Sequence, residues 1–147
     1  MSNPNIRPSD RGTILAIVNP QSASSAQSSG WISVAQFALF QALVIVGAIG
    51  SSATVDAKIQ QASDGSGTGA KDVTGKAITQ FTKAGSDDNK QAVINFKPED
   101  LDLTNGFTHV RLTITPATAA SLICGVIQGF DARYQPPDDA TTVDEVV

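Results

Sequence analysis

The chain has 147 residues, of which 41 % are hydrophobic. That is enough for one domain with one sizeable core and excludes wholesale disorder. Charged residues make up only 16 %, against roughly 25 % in a typical soluble domain. A single Cys and a single His exclude a disulfide framework or a Cys/His metal cage within one chain. The net charge of -4 is carried by Asp138, Asp139, Asp144 and Glu145, because the remaining acids equal the basic residues in number. No basic stripe of the kind that neutralises phosphates is present, so no nucleic-acid partner is expected. A neutral, charge-poor body lacks the usual solubility device of a free monomer. Much of its surface is therefore expected to lie against other subunits.

Residues 1–12, with Asn3, Pro4, Pro8 and Asp10, predict an extended N-terminal arm, since each proline pushes its predecessor out of helical geometry. On that arm Ile6, Arg7 and Arg11 are candidate contacts to a neighbouring subunit, Ile6 filling a pocket and Arg7 pairing with a carboxylate. Residues 12–55 carry no charge at all. Within them, Trp31 to Gly50 is the most apolar stretch. Gln36 and Gln41 interrupt it, β-branched residues crowd Val44 to Val46, and no Lys/Arg cluster follows, so buried strands are expected there and no membrane partner. Trp31 is read as a core anchor and as a candidate subunit contact. The strict alternation of Thr54 to Gln60 predicts a strand with one wet face. Ser63 to Gly69 reads as a flexible loop. Val73 to Phe81 predicts a strand broken at Gly75, and Gln91 to Phe96 another. Pro98 to Leu101 suits a single helical turn. In His109 to Thr115, Val110, Leu112 and Ile114 should face the core, and Pro116 should end the strand. Ser121 to Phe130 is apolar on both faces, with Leu122, Cys124 and Val126 on one side and Ile123 and Ile127 on the other. Ile123 and Ile127 are candidate contacts between subunits. The expected fold is an all-β, antiparallel, jelly-roll-like sandwich of about seven or eight short strands over residues 13–134, followed by a flexible acidic tail over 135–147.

Catalytic and ligand motifs are weak. Gly67 to Ala77 imitates a phosphate loop but has Ala70 where the first glycine is needed and Ala77 where the magnesium-binding hydroxyl belongs. Asp100 to Gly106 imitates a calcium loop, with Asn105 at the glycine position and Arg111 at that of the bidentate Glu. Asp64, Asp87 and Asp88 could converge on a cation only if the fold brought them together. His109 and Cys124 are the only base and thiol, and an apolar Cys is usually inert. No catalytic residue, cofactor or metal is expected.

The order of features is itself distinctive. Val46-Gly47-Ala48-Ile49-Gly50 is followed by Asp56 to Gly65, then Lys71-Asp72-Val73-Thr74-Gly75, Ser86 to Lys90, His109 to Thr115 and Gly129 to Tyr134. Over residues 31–136 this resembles a family of small structural proteins of tailed bacteriophages. The resemblance implies a non-enzymatic virion protein of the capsid decoration or cement type, made in the bacterial cytoplasm and placed on the outer capsid surface. Its implied partners are the major capsid protein and copies of itself, with a trimer as the state that shell symmetry suggests. A head–tail connector or tail component, or a carbohydrate-binding sandwich for host attachment, are the competing readings.

Overall fold

The computed structural model describes residues 5–147, so Asn3 and Pro4 of the expected arm lie outside the described residues. The first element is a helical turn, α1 (Pro8–Arg11), where an extended arm was expected. The proline rule holds for Arg7, which is extended (φ -68°, ψ 150°). Pro8 itself sits at the first helical position, where its fixed φ favours the turn and its missing N–H costs nothing. Gly12 N–H donates to the Pro8 carbonyl at 3.0 Å and closes the turn.

Ten strands follow: β1 (Thr13–Ala23), β2 (Gln27–Ser28), β3 (Ile32–Ser33), β4 (Phe37–Val46), β5 (Thr54–Ala62), β6 (Lys71–Ala77), β7 (Phe81–Thr82), β8 (Gln91–Phe96), β9 (His109–Ala117) and β10 (Ser121–Ala132). Short 3-10 turns at Pro98–Asp100 and Leu103–Asn105 join β8 to β9. Sheet A has the order β1-β10-β4-β8; sheet B has β2-β9-β5-β6, with β3 also on β9 and β7 on β5. All pairings are antiparallel. Counting β2 and β3 as one interrupted strand and setting β7 aside, the two sheets read 1-8-3-6 and 2-7-4-5. That is the connectivity of a jelly roll, two Greek keys folded into a sandwich.

The inner faces carry the core. Val44, Val46, Ile123 and Ile127 from sheet A meet Val55, Ile59, Val110, Leu112 and Ile114 from sheet B, all buried. Phe40 stacks on Phe96 at 5.2 Å and meets Phe37 edge-on at 6.0 Å, which fills one end. The other end is tied by loops. Ile49 N–H donates to Asp88 at 2.7 Å, Thr82 N–H to Asp87 at 2.9 Å, and Lys83 and Lys90 pair with Asp88 and Asp87.

Two strands run differently from expectation. β9 continues through Pro116 to Ala117, with Pro116 opposite Val55. The β2 and β3 pairings reach no further than Ile114, so one edge of β9 is unpaired there and a residue without N–H is tolerated. β6 passes through Gly75 (φ 76°) and stops at Ala77, while Phe81 belongs to the separate β7. The acidic tail, expected to be free, is held on the outer edge of β1: Ile14 N–H donates to Asp139 Oδ1 at 2.9 Å, and Ala140 N–H donates to the Ile14 carbonyl at 2.7 Å.

Candidate functional site

The two outer faces of the sandwich differ sharply in chemistry. Sheet B turns a polar ladder to solvent. Lys58 pairs with Asp72 at 2.9 Å, Arg111 Nε donates to Gln60 at 2.9 Å, and Gln80 donates to Asp56 at 2.8 Å. The lysine hydrogen bond is the main reason that the Asp72 carboxyl lies below its ordinary range. This is the wet face that the alternation in Thr54–Gln60 and His109–Thr115 predicts.

Sheet A does the opposite. Residues paired across antiparallel strands share a face, so the register arranges its outer side in rows. One row is aliphatic throughout: Val93, Leu43, Val126 and Ile17, from β8, β4, β10 and β1. On one side lies a row of Gln91, Ile45 and Cys124, with Leu122 beyond it; on the other lies a row of Asn95, Gln41, Gln128 and Ile14. Gln41 donates to Asn95 at 3.3 Å. None of these side chains is charged. Val93 is 52 % exposed, Leu122 48 % and Ile45 39 %. With strands about 4.8 Å apart and a rise of about 3.4 Å per residue, the rows cover a flat footprint of roughly 400 Å². An uncharged face of that size, its aliphatic row flanked by the amides of Gln91, Asn95, Gln41 and Gln128, on a molecule with few charges, has the character of an interaction site.

The charge-free 12–55 span and the doubly apolar 121–130 stretch therefore meet on one sheet, as β1, β4 and β10. The individual candidates fare differently. Ile123 and Ile127 belong to the core, at 3 % and 0 % exposure, and are not available to a neighbouring subunit. The outward set on β10 is Leu122, Cys124 and Val126. Trp31 is half-buried on the sheet B side and lies outside the core: the Arg111 guanidinium sits 4.6 Å over its ring, and a side chain on Gly67 would collide with its indole nitrogen. Arg7 pairs at 3.2 Å with Asp10 of its own chain, where a neighbour's carboxylate was expected. Ile6 and Arg11 line a shallow groove with Gly12, Gln128 and Phe130 at the edge of sheet A.

The ligand-like motifs resolve into internal contacts. Lys71 places its ammonium 2.6 Å from Asp102, and Asn105 donates to both oxygens of that carboxylate. A lysine thus occupies the place a calcium ion would need. Asp64 folds back on its own loop, accepting from Ser66 N–H, Thr68 N–H and the Thr68 hydroxyl, while Asp87 and Asp88 are paired with lysines. Among the described residues no group of three His, Cys, Asp or Glu side chains could hold a metal ion. His109 lies on the outer side of sheet B and Cys124 on that of sheet A, so the two do not meet; burial pushes the Cys124 thiol up, away from thiolate chemistry. No helix among the described residues is long and apolar enough to cross a membrane.

The aliphatic row itself was only half visible beforehand. Val93 sits in a six-residue strand between Gln91 and Asn95 on its own face, and nothing local marks it as the continuation of Leu43 and Val126. A scan against protein-family models gives no match, and no curated protein matches the sequence.

Proposed function

We propose that the chain is a non-enzymatic virion structural protein that decorates and stabilises a tailed-bacteriophage capsid, laying the outer face of sheet A between capsid subunits on the outside of the shell. The observation that carries this reading is the uncharged row Val93–Leu43–Val126–Ile17, Val93 exposed and the other three half-buried, on the outer face of a sandwich whose opposite face is conventionally polar. Jelly rolls serve in both capsid and lectin domains, so the fold does not choose between these roles and the face must. A sugar-binding site presents aromatic rings to solvent. Here Phe37, Phe40 and Phe96 are buried, Trp31 lies under Arg111, and Phe107 lies under Lys71 at 4.3 Å; among the described aromatic side chains Tyr134 alone is mostly exposed, a single ring and not a platform. A flat aliphatic face instead suits a flat protein partner. Its footprint is about half the roughly 800 Å² per partner of a standard stable interface, which fits a protein that acts in many symmetric copies.

The test is rebinding to particles that lack the protein. The double variant Val93→Asp/Leu122→Asp changes two exposed positions and should fold normally, shown by an unchanged circular-dichroism spectrum and melting temperature. Retention on particles should fall by tenfold or more, at about 1.5 kcal/mol or more per buried aliphatic side chain lost. Full retention of the folded double variant overturns the proposal, as does an image of particles with this protein confined to a single vertex or the tail.

A further inference from the structure

We infer that the free edge of β8 pairs with β8 of a second copy of this chain. The two strands run antiparallel about a two-fold axis at Val93 and join two four-stranded sheets A into one. The backbone fixes which groups are on offer. On β4, Gly47 N–H donates to the Leu122 carbonyl of β10 at 2.9 Å, whereas Val46 N–H donates to the Lys90 carbonyl at 3.0 Å. Bonding alternates along an antiparallel ladder, so Val44, Ala42 and Phe40 bond to Ala92, Ile94 and Phe96, their register partners. The backbone N–H and C=O groups of Gln91, Val93 and Asn95 consequently point away from the sheet, and no described residue bonds to them. An evenly spaced row of unpaired donors and acceptors matches one kind of partner, another extended strand.

Every other edge among the described residues carries a device that discourages pairing. The outer edge of β1 is held at Ile14 by Asp139 and Ala140, and a register shift between Val18 and Gln21, at Asn19 and Pro20, breaks the rest. β6 is charged at Lys71, Asp72 and Lys76, turns through Gly75 at positive φ and loses register against β5. β2, β3 and β7 are two residues each. β8 has none of these: Gln91–Phe96 contains no charge, proline, glycine or register shift. The strand is also its own complement. With the axis at Val93, the two copies of that residue bond to each other, and Gln91 lies opposite Asn95 of the second copy. Amide then meets amide, as Gln41 already meets Asn95 at 3.3 Å within the sheet. On the inner face Ala92 meets Ile94, small against large. Lys97 falls opposite Asn89, and Lys90, already paired with Asp87, falls opposite Phe96, so no like charges meet in the ladder. The row Ile17–Val126–Leu43–Val93 runs on across the axis into its copy, and the outer face stays open. Because β1 is blocked, β8 cannot pair with it head to tail, and the assembly closes as a dimer.

The shell-binding reading is not needed here, and the test uses no particles. Sedimentation of the full chain at sub-millimolar concentration should give a mass near twice 15.2 kDa. Val93→Pro removes an outward N–H and leaves the bonds to β4 in place, as proline on an edge strand does. The donor is lost on both sides of the axis, so the dimer dissociation constant should rise by about tenfold or more. Val93→Lys, at a position 52 % exposed, sets like charges directly opposite each other. It should weaken the dimer comparably at an unchanged melting temperature, and so decides the matter even where the proline variant does not fold. Cysteines in a Cys124→Ser background read the register. Paired Cα atoms across the axis lie about 5.5 Å apart, within reach of a disulfide, so Val93→Cys should crosslink to itself on mild oxidation. Gln91→Cys and Asn95→Cys should each fail alone, their copies being offset by about 14 Å along the strands, and should crosslink when mixed. Leu122→Cys, exposed on β10 of the same face, should not crosslink, and would do so if the faces stacked. A monomer or a trimer in sedimentation, a dimer indifferent to Val93→Lys, or crosslinking through Leu122→Cys in place of Val93→Cys overturns the proposal.

Discussion

Gly125 marks a place where the two sheets approach closely. A Cβ there would lie 2.5 Å from Leu112 Cδ2 and 3.0 Å from Ile114 Cδ1, both in the facing strand β9. Those atoms are packed into the core and cannot swing aside, so even one methyl group forces the sheets apart. Gly125→Ala should cost about 1–3 kcal/mol, as small-to-large core changes do, measured by urea denaturation. Leu122→Ala on the same strand, 48 % exposed, should stay within about 0.5 kcal/mol. That contrast is also where residue-level reading stops. The alternation of Ser121 to Phe130 separates Leu122, Cys124 and Val126 from Ile123 and Ile127, and the structure keeps that separation. Both sets are apolar, so the pattern holds no information on which one faces inward. What decides is Gly125 between the isoleucines: only the side that bears it can approach β9 closely. Trp31 misleads for a related reason. Its size argues for the core, but stacking under Arg111 satisfies it at the surface.

At the scale of elements, the ends of the sandwich depend on carboxylates that substitute for missing strand pairing. Asp88 bridges the β4–β5 loop to the β7–β8 loop through Lys83 and the Ile49 N–H; Asp87 closes the β7–β8 loop through Lys90 and the Thr82 N–H. The lysine hydrogen bonds first, and the backbone donors next, hold both carboxyls below the ordinary value of 3.8. Depressed carboxyl pKa values mean stability that is complete above the unfolded-state value and lost as the pH falls through the folded-state value. The melting temperature should thus be flat with respect to these groups above about pH 5 and decline on acidification below 3.8. Asp87→Asn and Asp88→Asn should each lower the neutral-pH melting temperature, because Asn retains the backbone acceptor but loses the charge. Each should also make the acid decline shallower. A decline equally steep in both variants would remove these residues as its source. Strands with one polar face, β5 and β9, were legible from their alternation, as was the turn at Pro98. Pro8 and Pro116 were not, since a proline's effect depends on where its absent N–H would have pointed, and only the assembled ladder shows that.

For the molecule as a whole, strand number was readable and strand order was not. Turn residues space the strands along the chain, but β1 pairs with β10, and no local signal reports a pairing between the two ends of a domain. The same closure explains the functional asymmetry: by bringing β1, β4 and β10 into one sheet, the jelly roll collects the charge-poor strands on one side. That arrangement has a measurable consequence, because a contact through uncharged side chains responds to salt differently from one through ion pairs. Attachment through Val93, Leu43, Val126 and Ile17 involves no ionic group. Raising sodium chloride from about 0.05 to about 0.5 M shortens the screening length from about 14 to about 4 Å. Surface ion pairs weaken over that range, while burial of aliphatic surface does not. Sulfate, which is excluded from protein surfaces, should strengthen such burial. Retention on particles should therefore be constant in chloride and rise in sulfate. If retention instead collapses with chloride, the aliphatic row is not the attachment surface.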